Sequence, residues 1–261
     1  MTPGYVEFEF NLPEALLSSL IQVLDRLEVA NLAIESLANI PDAQGVYQLY
    51  LDDELVYIGK TDAEAGLRNR LERHRSKIQH RLDLGPSRVS FKAVRIYVFT
   101  AMDLETHLIA HYDGPAKVKW NGSGFGSNDP GRQRDTTTYR EDHFDAIFPI
   151  DIDRTLDISL PHSDTAANIF TILKNTLPYV FRYEGRTARS RQPHPDLENT
   201  TVSTVAVSPL TARRVLEVVV PQLPTGWQAT LLPSHIILYK ENRVYPQGTV
   251  ISRSTSQQQA P

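Results

Sequence analysis

The chain has 261 residues, of which 41% are hydrophobic and 22% are charged, values typical of one or two folded domains. It contains no Cys, which excludes a disulfide scaffold, thiolate zinc sites and a Cys nucleophile and fits a reducing compartment. Its apolar runs are far shorter than the roughly 20 residues that span a bilayer, and its first residues lack the pattern of a signal peptide. We therefore expect a cytoplasmic protein with no membrane partner.

Basic residues are concentrated in one segment, although the chain as a whole is acidic. The net charge is -4, from 27 Lys and Arg against 31 Asp and Glu. Between Lys60 and Arg95, ten basic residues stand against four acidic ones, so this segment carries +6 and the remainder -10. A local cluster of this kind favours a nucleic-acid partner despite the global balance. It also fits the solvated face of a helix.

The first half of the chain predicts helices around a β-hairpin. An apolar stripe predicts an amphipathic helix over 13–28, and two strand-like runs joined by residues 52–54 predict the hairpin. The other predicted elements of this half are a short helix over 29–38, a helix over 66–81, a strand over 89–99, a helix over 102–112 and a Gly-rich loop over 120–135. The two hairpin strands are placed at Val46–Leu51 and Leu55–Ile58.

A change of composition near residues 150–153 predicts a domain boundary. We expect a first domain over 1–152 with an N-terminal helical arm, an accessory α+β domain over 153–252 and a disordered Ser/Gln-rich tail over 253–261. Two β-α-β stretches, 157–178 and 203–224, resemble each other, and a ferredoxin-like split β-α-β is one arrangement that such a duplication gives. The predicted strands of this half are 156–160, 179–183, 202–207 and a meander over 227–245, with helices over 164–177 and 210–220 and a linker over 185–200.

Two tyrosines mark the hairpin. The first strand begins with GVY at 45–47 and the second contains YIG at 57–59. The offset between Tyr47 and Tyr57 is even, so their side chains can face the same side of the sheet. Arg70 and His74 are four residues apart and share one face of the next helix. Tyr is also an ordinary strand residue, but its combination with an Arg and a His in this order favours a functional site.

These residues resemble the GIY-YIG nuclease superfamily, with GVY and YIG as the two halves of its name motif. The family's helical Arg matches Arg70, and its metal-binding Glu matches Glu105 at the start of an apolar helix. The Arg70 and His74 pair, the Glu105 helix, and the WN pair at 120–121 with FG at 125–126 and DPG at 129–131 narrow the resemblance. They look like the type II restriction endonuclease branch whose best-known members cut CCGCGG. The resemblance covers residues 40–150 and implies an α+β fold, a small antiparallel sheet flanked by helices.

The resemblance implies a catalytic set and a metal. Tyr47 would be the general base, and because a phenol has a pKa of about 10, nearby cations must favour its phenolate. Glu105 would hold Mg²⁺, with Mn²⁺ as a substitute. Arg70 would hold the scissile phosphate, Tyr57 would orient water or a phosphate oxygen, and His74 would bond Tyr47 or the phosphate. The full set is Tyr47, Tyr57, Arg70, His74, Glu105 and Asn121, where Asn121 would position a phosphate or Glu105.

The expected activity is Mg²⁺-dependent hydrolysis of double-stranded DNA at a short palindromic site. Cutting both strands of a palindrome implies a homodimer or a tetramer, and host DNA would need protection by a cognate methyltransferase. The accessory domain would add base readout, an oligomer contact or only stability. Basic residues expected to contact DNA are Lys60, Arg73, Lys77, Arg132 and Arg134.

Two other functions stay open, and two motifs are set aside. A structure-selective repair or mobile-element nuclease of the same superfamily would share the site, and a non-catalytic DNA-binding protein would share the scaffold. His107 and His111 have a zinc-like spacing, but the Glu of the metalloprotease motif and a third ligand are missing. The GSGFG segment at 122–126 is not followed by a helix, so a dinucleotide loop is disfavoured.

Overall fold

The structure is a computed structural model that describes residues 3–9, 11–97, 103–112, 118–126, 129, 131–187 and 190–255. The chain divides into two compact units, the first formed by residues 1–75 and 85–126 and the second by 76–84 and 127–261. The division at residue 126 comes earlier than the predicted boundary at 152. The reason is that Ile150 and Ile152 already belong to the hydrophobic core of the second unit.

The first unit is a four-stranded antiparallel sheet with helices. Its strand order is β1-β4-β2-β3, which makes β3 an edge strand. The predicted second helix is reduced to a single turn, and a two-residue strand precedes it. The elements are α1 (Leu12–Arg26), β1 (Ala30–Asn31), α2 (Ile34–Leu37), β2 (Gly45–Leu51), β3 (Glu54–Thr61), α3 (Leu67–Gln79), β4 (Val89–Arg95) and α4 (Leu104–His111); the last four residues of α3 fall in the second unit.

Local sequence explains the hairpin at the centre of this unit. Asp52 and Asp53 connect its strands with φ angles of 48° and 68°, the left-handed conformation that tight hairpin turns require and that Asp tolerates. One core of the unit joins α1, α4 and strands β2 and β3, with Leu24, Ile58 and Leu108 fully buried. Asn11 caps α1 by accepting a bond from the Glu14 amide, as helix-capping residues do.

The second unit is also of α+β type. Its main sheet has the order β10-β8-β9-β6, in which only β6 runs parallel to its neighbour β9. Helices α6 and α8 pack in the core on one face of this sheet, together with Phe181, Ile236 and Leu238. The elements are α5 (Phe144–Ile147), β5 (Ser163–Thr165), α6 (Ala166–Thr176), β6 (Val180–Tyr183), α7 (Pro195–Asn199), β7 (Thr201–Ser203), α8 (Ala212–Val219), β8 (Trp227–Leu232), β9 (His235–Lys240) and β10 (Thr249–Arg253).

Three predictions for the second half are wrong. Residues 156–160 form no strand: Ile158 and Leu160 pack on the core, but the segment has no ladder partner. The ferredoxin-like arrangement fails because β5 and β7, the first strands of the two repeats, pair with each other in a separate two-stranded sheet. Arg253 ends β10 rather than beginning a tail. Residues 98, 99 and 102 of two predicted elements, and the predicted tail from 256 onward, lie outside the described residues.

Candidate active site

The two tyrosines of the hairpin lie side by side on one face of the sheet, as the even offset predicts. Tyr47 pairs with Gly59 across the strands, so Tyr57 is its diagonal neighbour. Their ring centroids are 6.0 Å apart, within the reach of aromatic side chains on diagonal positions. Both are buried, Tyr47 fully.

Gly59 allows this arrangement because the Tyr47 phenol lies directly over it. A Cβ atom at position 59 would be 2.4 Å from the Tyr47 hydroxyl oxygen, closer than any such contact that real structures tolerate. A glycine is therefore needed in the YIG motif because the Tyr47 side chain lies close to the backbone, and not because of a special φ angle.

Helix α3 brings Arg70 and His74 to the Tyr47 hydroxyl. The phenol oxygen is 2.8 Å from Nε2 of His74, and the Nε of Arg70 donates to it at 3.4 Å. When the Nε2 of His74 is unprotonated, Tyr47 donates to it while accepting from Arg70. The hydroxyl therefore has a proton acceptor on one side and a cation on the other.

Burial controls the ionisation of Tyr47. It raises the pKa of the phenol, the neighbouring Tyr57 raises it further, and Arg70 lowers it. The neutral phenol is thus the resting form, because removing its proton would place a negative charge in a site without solvent. A proton leaving Tyr47 has His74 as its nearest partner.

Glu105 belongs to the same electrostatic cluster. It occupies the first turn of α4, and α4 packs against β3. Burial raises the pKa of its carboxyl group, while the charges of Lys60 and Arg70 lower it. The pKa of Tyr57 is likewise raised by burial first and then by the charge of Glu105. The structure thus brings together five of the six predicted catalytic residues.

A small pocket opens beside Arg70. It has a volume of about 240 Å³ and is lined by Lys60, Thr61, Asp62, Ala65 and Arg70. Two cationic side chains in one concave surface suit a phosphate group. The ammonium of Lys60 forms an exposed ion pair with Asp103 at 2.7 Å, a pairing across 43 residues that the sequence pattern did not reveal.

Phe125 is a member of the site to which the resemblance assigned no role. Its ring stacks on His74 with centroids 4.7 Å apart and an interplanar angle of 19°, and it meets the edge of Tyr57 at 5.1 Å. Next to it, a Cβ at Gly126 would lie 2.7 Å from the Tyr57 hydroxyl. Segment 118–126 therefore packs against Tyr57 and His74. The aromatic residues in its Gly-rich sequence were the available signal.

Asn121 is the predicted catalytic residue that does not join the cluster. Its Oδ1 accepts from the backbone N–H of Ile58 at 2.9 Å, and its Nδ2 donates to the Ile58 carbonyl at 2.8 Å. Nearby, the Trp120 N–H donates to the Val56 carbonyl at 2.8 Å. Both contacts occupy the outer edge of β3, so Asn121 holds the strand that carries Tyr57.

The five predicted DNA contacts have different surroundings. Arg73 is exposed and Lys60 pairs with Asp103. In the second unit, Lys77 lies 5.4 Å from the centroid of the Phe144 ring. Arg132 is exposed and stacks on Tyr239. The guanidinium of Arg134 is 13% exposed and paired with Asp145 at 2.6 Å, so it is excluded from the DNA surface proposed below.

The donor set suits a magnesium ion held by few protein ligands. No group of three or more His, Asp or Glu residues arranged to hold a metal occurs in the described ranges. Mg²⁺ is commonly held by one or two carboxylates, with water and substrate phosphates completing its shell. Glu105 offers one such carboxylate, and the desolvation that raises its pKa would be offset by a bound cation.

Comparisons with protein families and with curated proteins identify no relative of this chain. No protein-family model matches the chain, and no curated protein matches it. None of the helices in the described part of the chain combines the length and apolar character needed to cross a bilayer.

Proposed function

We propose that this protein is a Mg²⁺-dependent endonuclease that hydrolyses double-stranded DNA at a short palindromic site, as type II restriction enzymes do. One observation carries the proposal: a phenol bonded to both a histidine and an arginine lies beside a second tyrosine, and a half-buried glutamate interacts with the charge of that arginine. Phosphodiester hydrolysis requires a proton acceptor for water and positive charge around the phosphate. This cluster supplies both.

Tyr47 and His74 form the proton-accepting pair of the proposed mechanism. The attacking water gives its proton to the Tyr47 oxygen as the phenol proton passes to Nε2 of His74, 2.8 Å away. This route avoids a buried phenolate, whose formation the raised pKa of Tyr47 opposes. The bond from Arg70 stabilises any negative charge that develops on the phenol oxygen.

Arg70 and Lys60 bind the phosphate in the pocket that they line. For Lys60 this means exchanging its exposed partner Asp103 for a phosphate oxygen, a small loss because exposed ion pairs contribute at most about 1 kcal/mol. Tyr57 orients the water or a phosphate oxygen. Because Gly126 lies against its hydroxyl, segment 118–126 has to shift when the substrate enters.

Glu105 holds the metal in this proposal. A bound Mg²⁺, or Mn²⁺ in its place, would neutralise the charge that builds on the phosphate and the leaving oxygen. The residues of the chain orient the phosphate and move the proton.

A palindromic site would be cut by two copies of the chain, each contributing one such cluster, so we propose a homodimer or a tetramer. A DNA methyltransferase of the same specificity would protect the host. The second unit would contribute base readout or an oligomer contact.

The test is incubation of the purified protein with unmethylated plasmid DNA and Mg²⁺, followed by sequencing of the fragment ends. We expect fixed ends at one short palindrome and no cleavage when EDTA replaces Mg²⁺. The variant Tyr47→Phe keeps the ring and removes the proton-carrying hydroxyl, so it should abolish cleavage. Tyr50→Phe, a matched change on the same strand outside the cluster, should cut normally.

Other outcomes select the alternatives. Cleavage at branched or damaged DNA without fixed ends would indicate a repair nuclease, and a single long asymmetric site would indicate a mobile-element nuclease. Binding of DNA with no cleavage under any divalent metal would leave a non-catalytic DNA-binding protein. Equal cleavage by Tyr47→Phe and the wild-type protein would show that the proposed site is not the catalytic one.

A further inference from the structure

A short 3₁₀ turn in the second unit, Gly131–Thr136, is anchored to the sheet by Asp135. The carboxylate of Asp135 is buried. It accepts hydrogen bonds from Nε2 of His235 at 2.8 Å and from the hydroxyl of Tyr239 at 3.0 Å, and it forms an ion pair with the guanidinium of Arg182 at 2.8 Å. Both oxygens are used. A carboxylate with this many partners fixes the backbone that carries it.

Tyr239 also holds Arg132 of the same turn. The guanidinium carbon of Arg132 lies 4.4 Å from the centroid of the Tyr239 ring, while the hydroxyl of that ring donates to Asp135. Residues three apart in a 3₁₀ helix lie on the same side. Asp135 can therefore reach the hydroxyl of Tyr239 while Arg132 lies against its ring. Tyr239 is itself buried, so the platform under Arg132 is rigid.

The two arginines of this turn have opposite surroundings. Arg134 is neutralised by the buried Asp145 and bonded to the Tyr139 hydroxyl at 3.0 Å. Arg132 is exposed, and within the described ranges no carboxylate lies within 4 Å of its guanidinium. The contact with the Tyr239 ring therefore orients the Arg132 side chain, and no carboxylate of the described residues pairs with its donors.

We infer that Arg132 is a base-reading residue of the DNA-binding surface and that it recognises the acceptor pair on the major-groove edge of guanine. This inference rests on the proposed nuclease function. A phosphate accepts a cation from many directions, whereas the two acceptors of guanine require the planar fork in one orientation. Holding that fork on Tyr239 lowers the entropy cost of such directional recognition.

The experiment uses the full chain and the cleavage site mapped on unmethylated plasmid. Cleavage rates with Mg²⁺ are compared between a duplex carrying the mapped site and duplexes in which one G·C pair at a time is replaced by A·T. For Arg132→Ala and Arg132→Lys, discrimination at one G·C position should fall about 10- to 100-fold relative to the wild-type protein. Lys keeps the charge but lacks the fork, so it should not rescue.

The control is Arg140→Ala, which removes another exposed guanidinium of the second unit and should keep the wild-type discrimination. If Arg132→Lys discriminates normally and Arg132→Ala only lowers affinity equally for all duplexes, the residue contacts phosphate and the inference is wrong. Unchanged behaviour of Arg132→Ala also overturns it while the nuclease function stands. A wild-type protein that leaves every substrate uncut defeats the proposed function, and the inference with it.

Discussion

Both units contain buried or half-buried charged side chains, but the two sets differ in how many ion-pair and hydrogen-bond partners they have. In the second unit, the buried carboxylates of Asp135 and Asp145 each have two or more cationic or hydroxyl donors within 3.0 Å. In the first unit, Arg70 and Glu105 are half-buried, and no ion pair joins either one to another described residue within 4 Å.

This difference separates a structural network from a candidate site. Charged groups that satisfy one another in the interior specify the fold and have little capacity left for a ligand. Charged groups that lie at a pocket with shifted pKa values and incomplete partners are typical of catalysis. Substitutions of Arg70 and Glu105 should therefore affect activity at nearly constant stability, and those of Asp135 and Asp145 should do the reverse.

The largest effect is expected at Glu105. Glu105→Gln removes the carboxylate that is proposed to hold the metal, so cleavage of the mapped site should fall about 10⁴-fold. Because burial already disfavours the charged form of Glu105, chemical denaturation should show no loss of stability. Glu64→Gln makes the same charge change at an exposed position and should cut normally. Full activity of Glu105→Gln would remove the carboxylate from the site.

A reversed pattern is expected at Asp145 in the second unit. Its side chain is 1% exposed and pairs with Arg81 at 2.7 Å and Arg134 at 2.6 Å. Asp145→Asn leaves two guanidinium groups without their counter-charge, so the free energy of unfolding in urea should fall by about 3–5 kcal/mol. Asp142→Asn breaks the exposed pair with Arg140 and should change it by less than about 0.5 kcal/mol. Equal losses of unfolding free energy in Asp145→Asn and Asp142→Asn would contradict the difference between the buried and the exposed ion pairs.

Acid should weaken the second unit through two groups that act in the same direction. The pKa of Asp135 is lowered below its ordinary value by His235, Arg182 and Tyr239, although burial raises it. Stability from this group is present above the unfolded pKa near 4 and is lost as pH falls through the lower folded pKa.

His235 adds a second component at higher pH. Burial lowers its pKa below the ordinary value, so the unfolded chain binds a proton first and stability begins to fall below about pH 6.5. In His235→Gln, the free energy of unfolding should depend less on pH between 6.5 and 5 than in the wild-type protein. Urea titrations across this range measure it, and an unchanged slope would exclude His235 as the source.

The smallest effect is expected at Asn121, where the comparison separates a positioning role from a catalytic one. Asn121→Ala removes both bonds to Ile58, which should lower the free energy of unfolding by about 1–3 kcal/mol and slow cleavage about tenfold. Asn69→Ala, which removes an exposed amide from the same unit, should do neither. A loss of activity like that of Glu105→Gln at unchanged stability would return Asn121 to the catalytic set.

The local part of the fold and site was predictable from the sequence. The period of two placed Tyr47 and Tyr57 on one face, and helical spacing placed Arg70 and His74 on another. Both patterns depend on neighbours within about ten residues. The amphipathic helices of both halves were predicted for the same reason.

What depends on distant partners was not predictable. The alternation of Leu156, Ile158 and Leu160 reports burial of side chains, but a strand also needs a ladder partner, which the pattern does not name. The pairing of β5 with β7 likewise joins segments that are far apart in the sequence, so local patterns do not predict it. Asn121 was assigned to chemistry by resemblance to the restriction endonuclease branch. Its partner in the structure, the backbone of Ile58, cannot be read from residue types.

The contacts of segment 118–126 with β3 also affect whether another strand can add to this edge of the sheet. An uncovered edge strand presents free backbone groups that can add a strand from another molecule. On β3, the carbonyl of Val56 is taken by Trp120 and both backbone groups of Ile58 are taken by one amide side chain. Asn121 thus imitates a neighbouring strand, and its loss would expose a template for aggregation.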